Sequence, residues 1–415
     1  MRDRTGLKVR TVAVVSTLVA AMLLLLSLVP FVSAAVPWTQ PADDVSIEET
    51  GLDELFVIDC WVVKNSDYDY QMWYTHSRAD MSPSELATGI ADIITGAMIS
   101  SLVNLELDTL LEEMATIDAS ALWDFMTAMT TIIGYAESTD GINWNIVDDE
   151  VLAGASDAWY NYGAPCVIKD DDTYEMWFTH SDTSLTSDNI DDFLLGLGST
   201  DTATARNAII GLINGTGSAI GYATSTDSTT WNIIDTDIVP AAGGGVWDIV
   251  AAPSVIKNGS DYEMWYTYAD ASLTTDDIDD IVDEIEADTF DSDDLWSIFN
   301  TIDSVIGYAI STDGETWSID NPSVISNGSG LWNAVGTPCV IENGGVYEIW
   351  YTSLTTDLNA GSFQTLMNEI KDLEPYISTL WGNLEDEEWD GNQQRRPGRQ
   401  PHLRAGGGRL GRGQP

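Results

Sequence analysis

Pro253-Ser-Val-Ile-Lys257, Tyr262-Glu-Met-Trp-Tyr-Thr267 and Ile306-Gly-Tyr-Ala-Ile-Ser-Thr-Asp-Gly-Glu-Thr-Trp317 are three phrases that recur along this chain. The first two return together at Pro165–Thr179 and Pro338–Thr352, with a degenerate copy at Cys60–Thr75. The third returns at Ile133–Trp144 and Ile220–Trp231. Trp144, Trp231 and Trp317 lie 87 and 86 residues apart. A fixed period with strand-type phrases means one supersecondary unit repeated in space.

Each repeat supplies four strands. Pro253–Lys257 and Tyr262–Thr267 flank the polar turn Asn258-Gly259-Ser260, which makes a hairpin. Ile306–Ser311 is the third strand, and Thr312-Asp313-Gly314 turns it into a fourth around Trp317. The strands are apolar on both faces, which suits sheets stacked face to face rather than a sandwich with one wet face. The expected fold is therefore an all-β propeller with four visible four-stranded blade repeats, the last of them incomplete. The fourth repeat has no Ile-Gly-Tyr-Ala phrase after Thr352. Trp38 lies 22 residues before Cys60, so it is expected in an outer fourth strand that precedes the first repeat and completes the last blade.

Between the second and third strands every repeat carries an insertion with helical periodicity. Ile190, Phe193, Leu194 and Leu197 follow the i, i+3, i+4, i+7 pattern, as do Leu295, Ile298, Phe299 and Ile302. Each insertion is read as a helical hairpin, with Thr274 or Thr275 before Asp276-Asp277 as an N-cap. The acidic opposite faces argue against a membrane role for these helices and leave oligomerisation through them open.

The chain of 415 residues has 67 acids and 16 bases, a net charge of −51. Residues 36–391 hold 66 of the acids and only six bases. Such a surface repels phosphate backbones and anionic lipid, which excludes nucleic acid as a partner. No twelve-residue calcium loop is visible, so no cofactor is expected and a structural divalent cation stays unassigned. Residues 1–35 pair Arg2, Arg4, Lys8 and Arg10 with an apolar run and Val32-Ser-Ala34. That is the pattern of a signal peptide or uncleaved anchor, and it implies an extracellular or cell-surface protein touching membrane only there. Residues 36–391 form the propeller with its insertions. Residues 392–415 are a basic Gly/Arg-rich tail, read as disordered or as the product of a frameshift. Cys60, Cys166 and Cys339 do not suffice for a disulfide framework and are expected as small core residues, with no metal site among them. The sequons at Asn214, Asn258 and Asn327 mark surface turns.

The phrases Tyr-Glu-Met-Trp-Tyr-Thr and Ile-Gly-Tyr-Ala-Thr-Ser-Thr-Asp resemble the blades of the arabinanase, levansucrase and invertase superfamily, the five-bladed propellers of glycoside hydrolase families 43, 32, 68 and 130. The resemblance covers about residues 38–352 apart from the insertions. It implies a glycan pocket on the axis at the face where the innermost strands begin, with acids on the first three blades. Two carboxylates flanking the bond are what glycoside hydrolysis requires. The slot before the strand-one Pro holds Ala164, Ala252 and Thr337 in the later repeats. Aligning Lys64 with Lys169 puts Asp59 in that slot, as the candidate base or nucleophile, and Cys60 in the Pro slot. The other two acids are missing there.

Candidate glycan contacts are Trp61, Asp248, the slot-sharing His76, His180 and Tyr268, and Trp159, Trp247 and Trp332, each six residues before the Pro slot. The Ser-Thr-Asp turns resemble shortened Asp boxes and are read as hairpin structure. Two function classes follow. One is an exported carbohydrate-active propeller that binds or hydrolyses extracellular glycan, a glycoside hydrolase if active. The other is a non-catalytic cell-surface or assembly propeller that has lost the catalytic acids.

Overall fold

The computed structural model describes residues 46–47, 54–79, 116–152, 161–181, 186–197, 218–239, 247–271, 292–328, 333–355 and 359–365, and singly 89, 93, 98, 114, 207, 274, 276–277, 280 and 368. Fifteen strands lie within them. After the short β1 (Ser46–Ile47), blade 1 comprises β2 (Glu54–Ser66), β3 (Asp69–Ala79), β4 (Met129–Ser138) and β5 (Asn143–Leu152). Blade 2 comprises β6 (Asn161–Asp170), β7 (Thr173–Ser181), β8 (Ser218–Ser225) and β9 (Trp231–Asp235). Blade 3 comprises β10 (Trp247–Asn258), β11 (Asp261–Ala271), β12 (Ile302–Ser311) and β13 (Trp317–Ile325). The fourth repeat contributes the hairpin β14 (Val335–Asn343) and β15 (Val346–Ser353).

Within each complete blade the four strands pair antiparallel in chain order. Blades meet through their first strands, β2 beside β6, β6 beside β10 and β10 beside β14. This is the propeller arrangement, with radiating four-stranded sheets around first strands that line an axis. β1 adds a parallel edge to β5. Trp38 lies outside the described residues, as do residues 1–35 and 392–415.

The second strands show why the repeat phrase reads as it does. In β7, Tyr174, Met176 and Phe178 point to one side and Glu175 and Trp177 to the other, and all five are buried. The blades on either side supply the cover. Trp73 of blade 1 packs among Tyr174, Met176 and Val167 of blade 2, and Trp177 of blade 2 among Val255, Tyr262 and Met264 of blade 3. The aromatic after each Trp lies across the Gly of the third strand. A Cβ on Gly221 would meet the Phe178 ring at 2.4 Å, and one on Gly307 the Tyr266 ring at 2.5 Å. Only glycine permits that approach.

Two polar devices stitch one blade to the next. The turn carbonyl of Ser228 accepts Trp73 Nε1–H from the preceding blade (3.2 Å) and Trp231 Nε1–H from its own (3.0 Å). The Gly314 carbonyl does the same for Trp177 and Trp317, both at 2.9 Å. The Ser-Thr-Asp turns are thus hairpin structure and a docking point for the neighbouring blade. Their Asp closes the turn: Asp227 Oδ1 accepts the backbone N–H of Thr230 (2.7 Å) and Thr229 (3.1 Å). These bonds favour the carboxylate and lower its pKa to about 2. In the second device an acid or amide of the second strand gathers two tyrosines. Glu175 accepts Tyr222 OH of its own blade (2.9 Å) and Tyr262 OH of the next (3.0 Å). Glu263 accepts Tyr308 OH (3.1 Å) and Tyr347 OH (2.8 Å) in the same way.

Helices stand where the insertions were expected, between second and third strands: α1 (Ala119–Ala128), α2 (Ser187–Leu197) and α3 (Ser292–Asn300). Ile190, Phe193 and Leu194 of the apolar stripe are buried. Thr274 is the N-cap of the third insertion, since Asp277 N–H donates to its Oγ1 (3.2 Å) while Asp277 Oδ2 accepts its N–H (2.7 Å). The other helix of each expected hairpin lies largely outside the described residues.

Candidate functional site at the axial mouth

The slot singled out by the repeat alignment is a structural position in its own right. Asp59, Ala164, Ala252 and Thr337 all have left-handed backbone, with φ of 45°, 45°, 50° and 48°. Each sits in a bulge where the first strand slips register against the second. A non-glycine residue in this region costs about 1 kcal/mol or more. The cost is offset between blades. Ala164 N–H donates to Thr75 Oγ1, Ala252 N–H to Thr179 Oγ1 and Thr337 N–H to Thr267 Oγ1, each at 2.8 Å. The bulge repeats once in each of the four repeats.

Asp59 is the one charged residue in this set of four. Its surface is open to water, yet protein surrounds it closely enough that burial raises its carboxyl pKa. Among the described residues no neighbouring carboxylate contributes to that shift. Cys60 follows it, exposed, with its thiol pushed up by burial and further by the charges of Asp59 and Cys339. Cys339, on β14, is also exposed and raised by burial. Cys60 and Cys339 each follow the bulge of their own first strand. The expectation of three core cysteines holds for Cys166 alone, which is buried with its Sγ accepting Val255 N–H at 3.2 Å. Cys339 occupies the slot of Cys166, but among the described residues no following first strand covers it as β10 covers Cys166.

The remaining candidates fall in three groups. His76, His180 and Tyr268 lie opposite Val57, Tyr162 and Val250. That is the strand end next to the bulge, so second strands do end on the face where the slots open. His76 itself is fully buried, with Nε2–H donating to the Asp149 carbonyl and its ring 5.5 Å from Tyr74. It packs inside blade 1 and is not on an open wall. His180, 5.1 Å from the Tyr162 ring, and Tyr268 are half-buried. Trp61 is half-buried as well, and its Nε1–H donates to the Val167 carbonyl at 2.7 Å, which commits the indole to the blade 1–blade 2 contact. Trp247 and Asp248 open β10, paired in backbone with Ala271 and Asp270. Their side chains, and Trp159 and Trp332 altogether, lie outside the described residues. Thr337, whose hydroxyl donates to Thr352 Oγ1 at 2.7 Å, is the slot neighbour that sequence reading passed over. Its place in the slot was the available signal.

Chemically, the mouth offers one carboxylate with a raised pKa, two thiols and a threonine hydroxyl. That set can hydrogen-bond a polyhydroxylated ligand. Among the described residues there is no cluster able to hold a metal ion.

No family model matches this chain, and no curated protein does. Solved structures do. A GH32 β-fructofuranosidase of Bombyx mori is 11% identical, with a TM-score of 0.37 over 74% of this chain and 45% of that one. A β-1,2-mannobiose phosphorylase from Listeria innocua is 12% identical, with a TM-score of 0.40 over 75% and 72%. An α-L-arabinanase of Cellvibrio cellulosa is 10% identical, with a TM-score of 0.31 over 70% and 67%. The chain spans less than half the length of the Bombyx enzyme.

Proposed function

We propose that the protein is an exported carbohydrate-active propeller that binds a glycan at the axial mouth, with Asp59 as its principal polar contact. One observation carries this reading: Asp59 is the single charged residue in the bulge slot, open to water and raised in pKa. A carboxylate so placed accepts hydrogen bonds from vicinal sugar hydroxyls. The blade phrases and the amino-terminal export pattern support the same reading. Binding is favoured over hydrolysis. Cleavage by the usual route needs a second carboxyl group about 5–10 Å from the first, and alanines hold the corresponding slots of blades 2 and 3.

The test is a glycan array followed by titration calorimetry of the hits. Asp59→Asn is expected to weaken binding about tenfold, the loss of one charge-assisted hydrogen bond, with no turnover of aryl glycosides by either form. Turnover abolished by Asp59→Asn would move the reading to hydrolysis. Absence of any glycan ligand for the folded protein would sink it. The second class, an assembly propeller, is favoured by a different observation: among the described residues the fourth hairpin has no third strand beside it.

A further inference from the structure

The first hairpin of blade 3 closes through Asn258-Gly259-Ser260, an Asn-x-Ser acceptor sequence for N-linked glycan. Asn258 pairs with Asp261, so Gly259 and Ser260 are the two residues of the turn. All four are exposed. Gly259 is left-handed, with φ of 68°, and a Cβ on it would meet nothing within 4 Å. The turn is therefore open to a bulky substituent. Its place in the repeat shows why this asparagine is not needed for the seam between blades. Asn65, Asp170 and Asn258 share one slot, five residues after Cys60, Pro165 and Pro253. In blades 1 and 2 that side chain holds the lysine of the next blade. Lys169 Nζ donates to Asn65 Oδ1 (3.3 Å) and Lys257 Nζ to Asp170 Oδ2 (2.7 Å). In the fourth repeat the lysine slot is Glu342, which accepts the N–H of Gly345 in its own turn. The lysine that Asn258 would hold is thus replaced by an acid. Of the three slot residues Asn258 alone heads an acceptor sequence, since Asn65-Ser66-Asp67 and Asp170-Asp171-Asp172 lack the hydroxyl or the amide.

We propose that Asn258 is an N-glycosylation site of the exported chain. Its Nδ2 attacks the anomeric carbon of a lipid-phosphate-linked oligosaccharide. The N–C bond forms as the C–O bond to phosphate breaks. The amide gives up one proton, and the lipid phosphate leaves with the bonding electrons. Nδ2 carries two N–H groups, one of which donates to Glu263 Oε1 at 3.2 Å. The linkage consumes the other, so that bond can persist in the product. Asn258 lies six residues beyond the bulge residue Ala252, about 20 Å along the strand. The glycan therefore stands at the end of β10 opposite the bulge slot, and it leaves the slot end of the blades open. There it is a bulky, solvating cover of the turn. Transfer takes place outside the cytoplasm, so the proposal rests on the export reading and not on glycan binding at Asp59.

The test isolates the full chain from its own cells, divided into outer and cytoplasmic fractions, and maps it by glycopeptide mass spectrometry. The peptide containing Asn258 should carry a sugar mass increment, and those containing Asn65 and Asn343 none. Ser260→Ala keeps the asparagine but removes the acceptor hydroxyl, so it should abolish the increment, whereas Ser260→Thr should retain it. Asn258→Gln should also abolish it, with the circular dichroism spectrum unchanged. Unmodified Asn258 in chain from the outer fraction would overturn the proposal and leave export standing. Unmodified chain confined to the cytoplasm would overturn both. Sugar retained in Ser260→Ala would mean attachment by a different chemistry, and that too would overturn the proposal.

Discussion

Blade 2 and the fourth hairpin carry nearly the same phrase, Tyr174-Glu-Met-Trp-Phe-Thr179 and Tyr347-Glu-Ile-Trp-Tyr-Thr352, and in the structure they are opposites. Trp177 is fully buried, with its indole N–H on the Gly314 carbonyl of the next blade. Trp350 is 40% exposed. Glu175 is buried between two tyrosines, and Glu348 faces water. The phrase itself specifies a strand that can be covered on every side. Burial comes from the third strand and from the following blade, and the fourth hairpin lacks both among the described residues. Blade 1 shows the same rule from the other end of the ring: Val62 is 44% exposed, while Val167, Val255 and Val340 in its slot are each 2% exposed. Each of these three is covered by the blade before it.

The largest expected break in the comparison is Trp177→Ala against Trp350→Ala. Emptying the inter-blade pocket at Trp177 should cost about 3–5 kcal/mol, and it also removes one of the two indole N–H donors to the Gly314 carbonyl. The same change at Trp350 should cost about 1 kcal/mol or less, as at other exposed positions. Urea unfolding monitored by circular dichroism measures both. Comparable losses would mean that the fourth hairpin is as covered as blade 2.

A smaller effect sharpens the comparison within the core. The Tyr266 hydroxyl is buried and has no hydrogen-bond partner among the described residues, and Phe178 fills the same place in blade 2. Tyr266→Phe should therefore stabilise the protein by about 1 kcal/mol, the cost of an unsatisfied buried polar group, seen as a rise in midpoint. A loss of stability would show that the hydroxyl has work to do.

The smallest effect concerns Asp59. Its folded pKa is raised above the ordinary 3.8 by burial, so the folded state holds the proton more tightly than the unfolded chain does. Its contribution is most favourable below pH 3.8 and is lost as pH rises through the folded value. The side chain is open to water, so the effect is screened and amounts to about 0.5 kcal/mol at most. Asp59→Asn should melt slightly above the parent at pH 7, with the gap closing near pH 3. A variant less stable at pH 7 would reverse the sign and imply a favourable partner for the carboxylate.

Much of this was legible in the sequence because the information is periodic. The repeat placed all four strands of each complete blade. The Lys64–Lys169 alignment put Asp59 in the slot of Ala164, Ala252 and Thr337, and the shared left-handed backbone bears that equivalence out. Thr274 was legible as a cap because capping is local. Cover from a neighbouring blade is not local. Cys166 and Cys339 share a slot, so sequence reading treated them alike, and only the strand beside each decides that one is core and the other open. His76 reads as an accessible strand-end donor until the Asp149 carbonyl of its own blade is seen to cap it. Trp61 reads as a sugar platform until its N–H is found on Val167 across the blade interface. The second role of the Ser-Thr-Asp turns, receiving the preceding blade's tryptophan, likewise leaves no mark in the turn's own residues.

Amide hydrogen exchange read by mass spectrometry tests most directly the claim that neighbouring strands, and not the repeat phrase, confer stability. β7 and β15 compare like with like, since their sequences are so similar. Peptides covering Thr173–Ser181 should exchange only through opening close to the global unfolding free energy, and those covering Val346–Ser353 faster by at least about a hundredfold. Equal protection of the two strands would contradict the account.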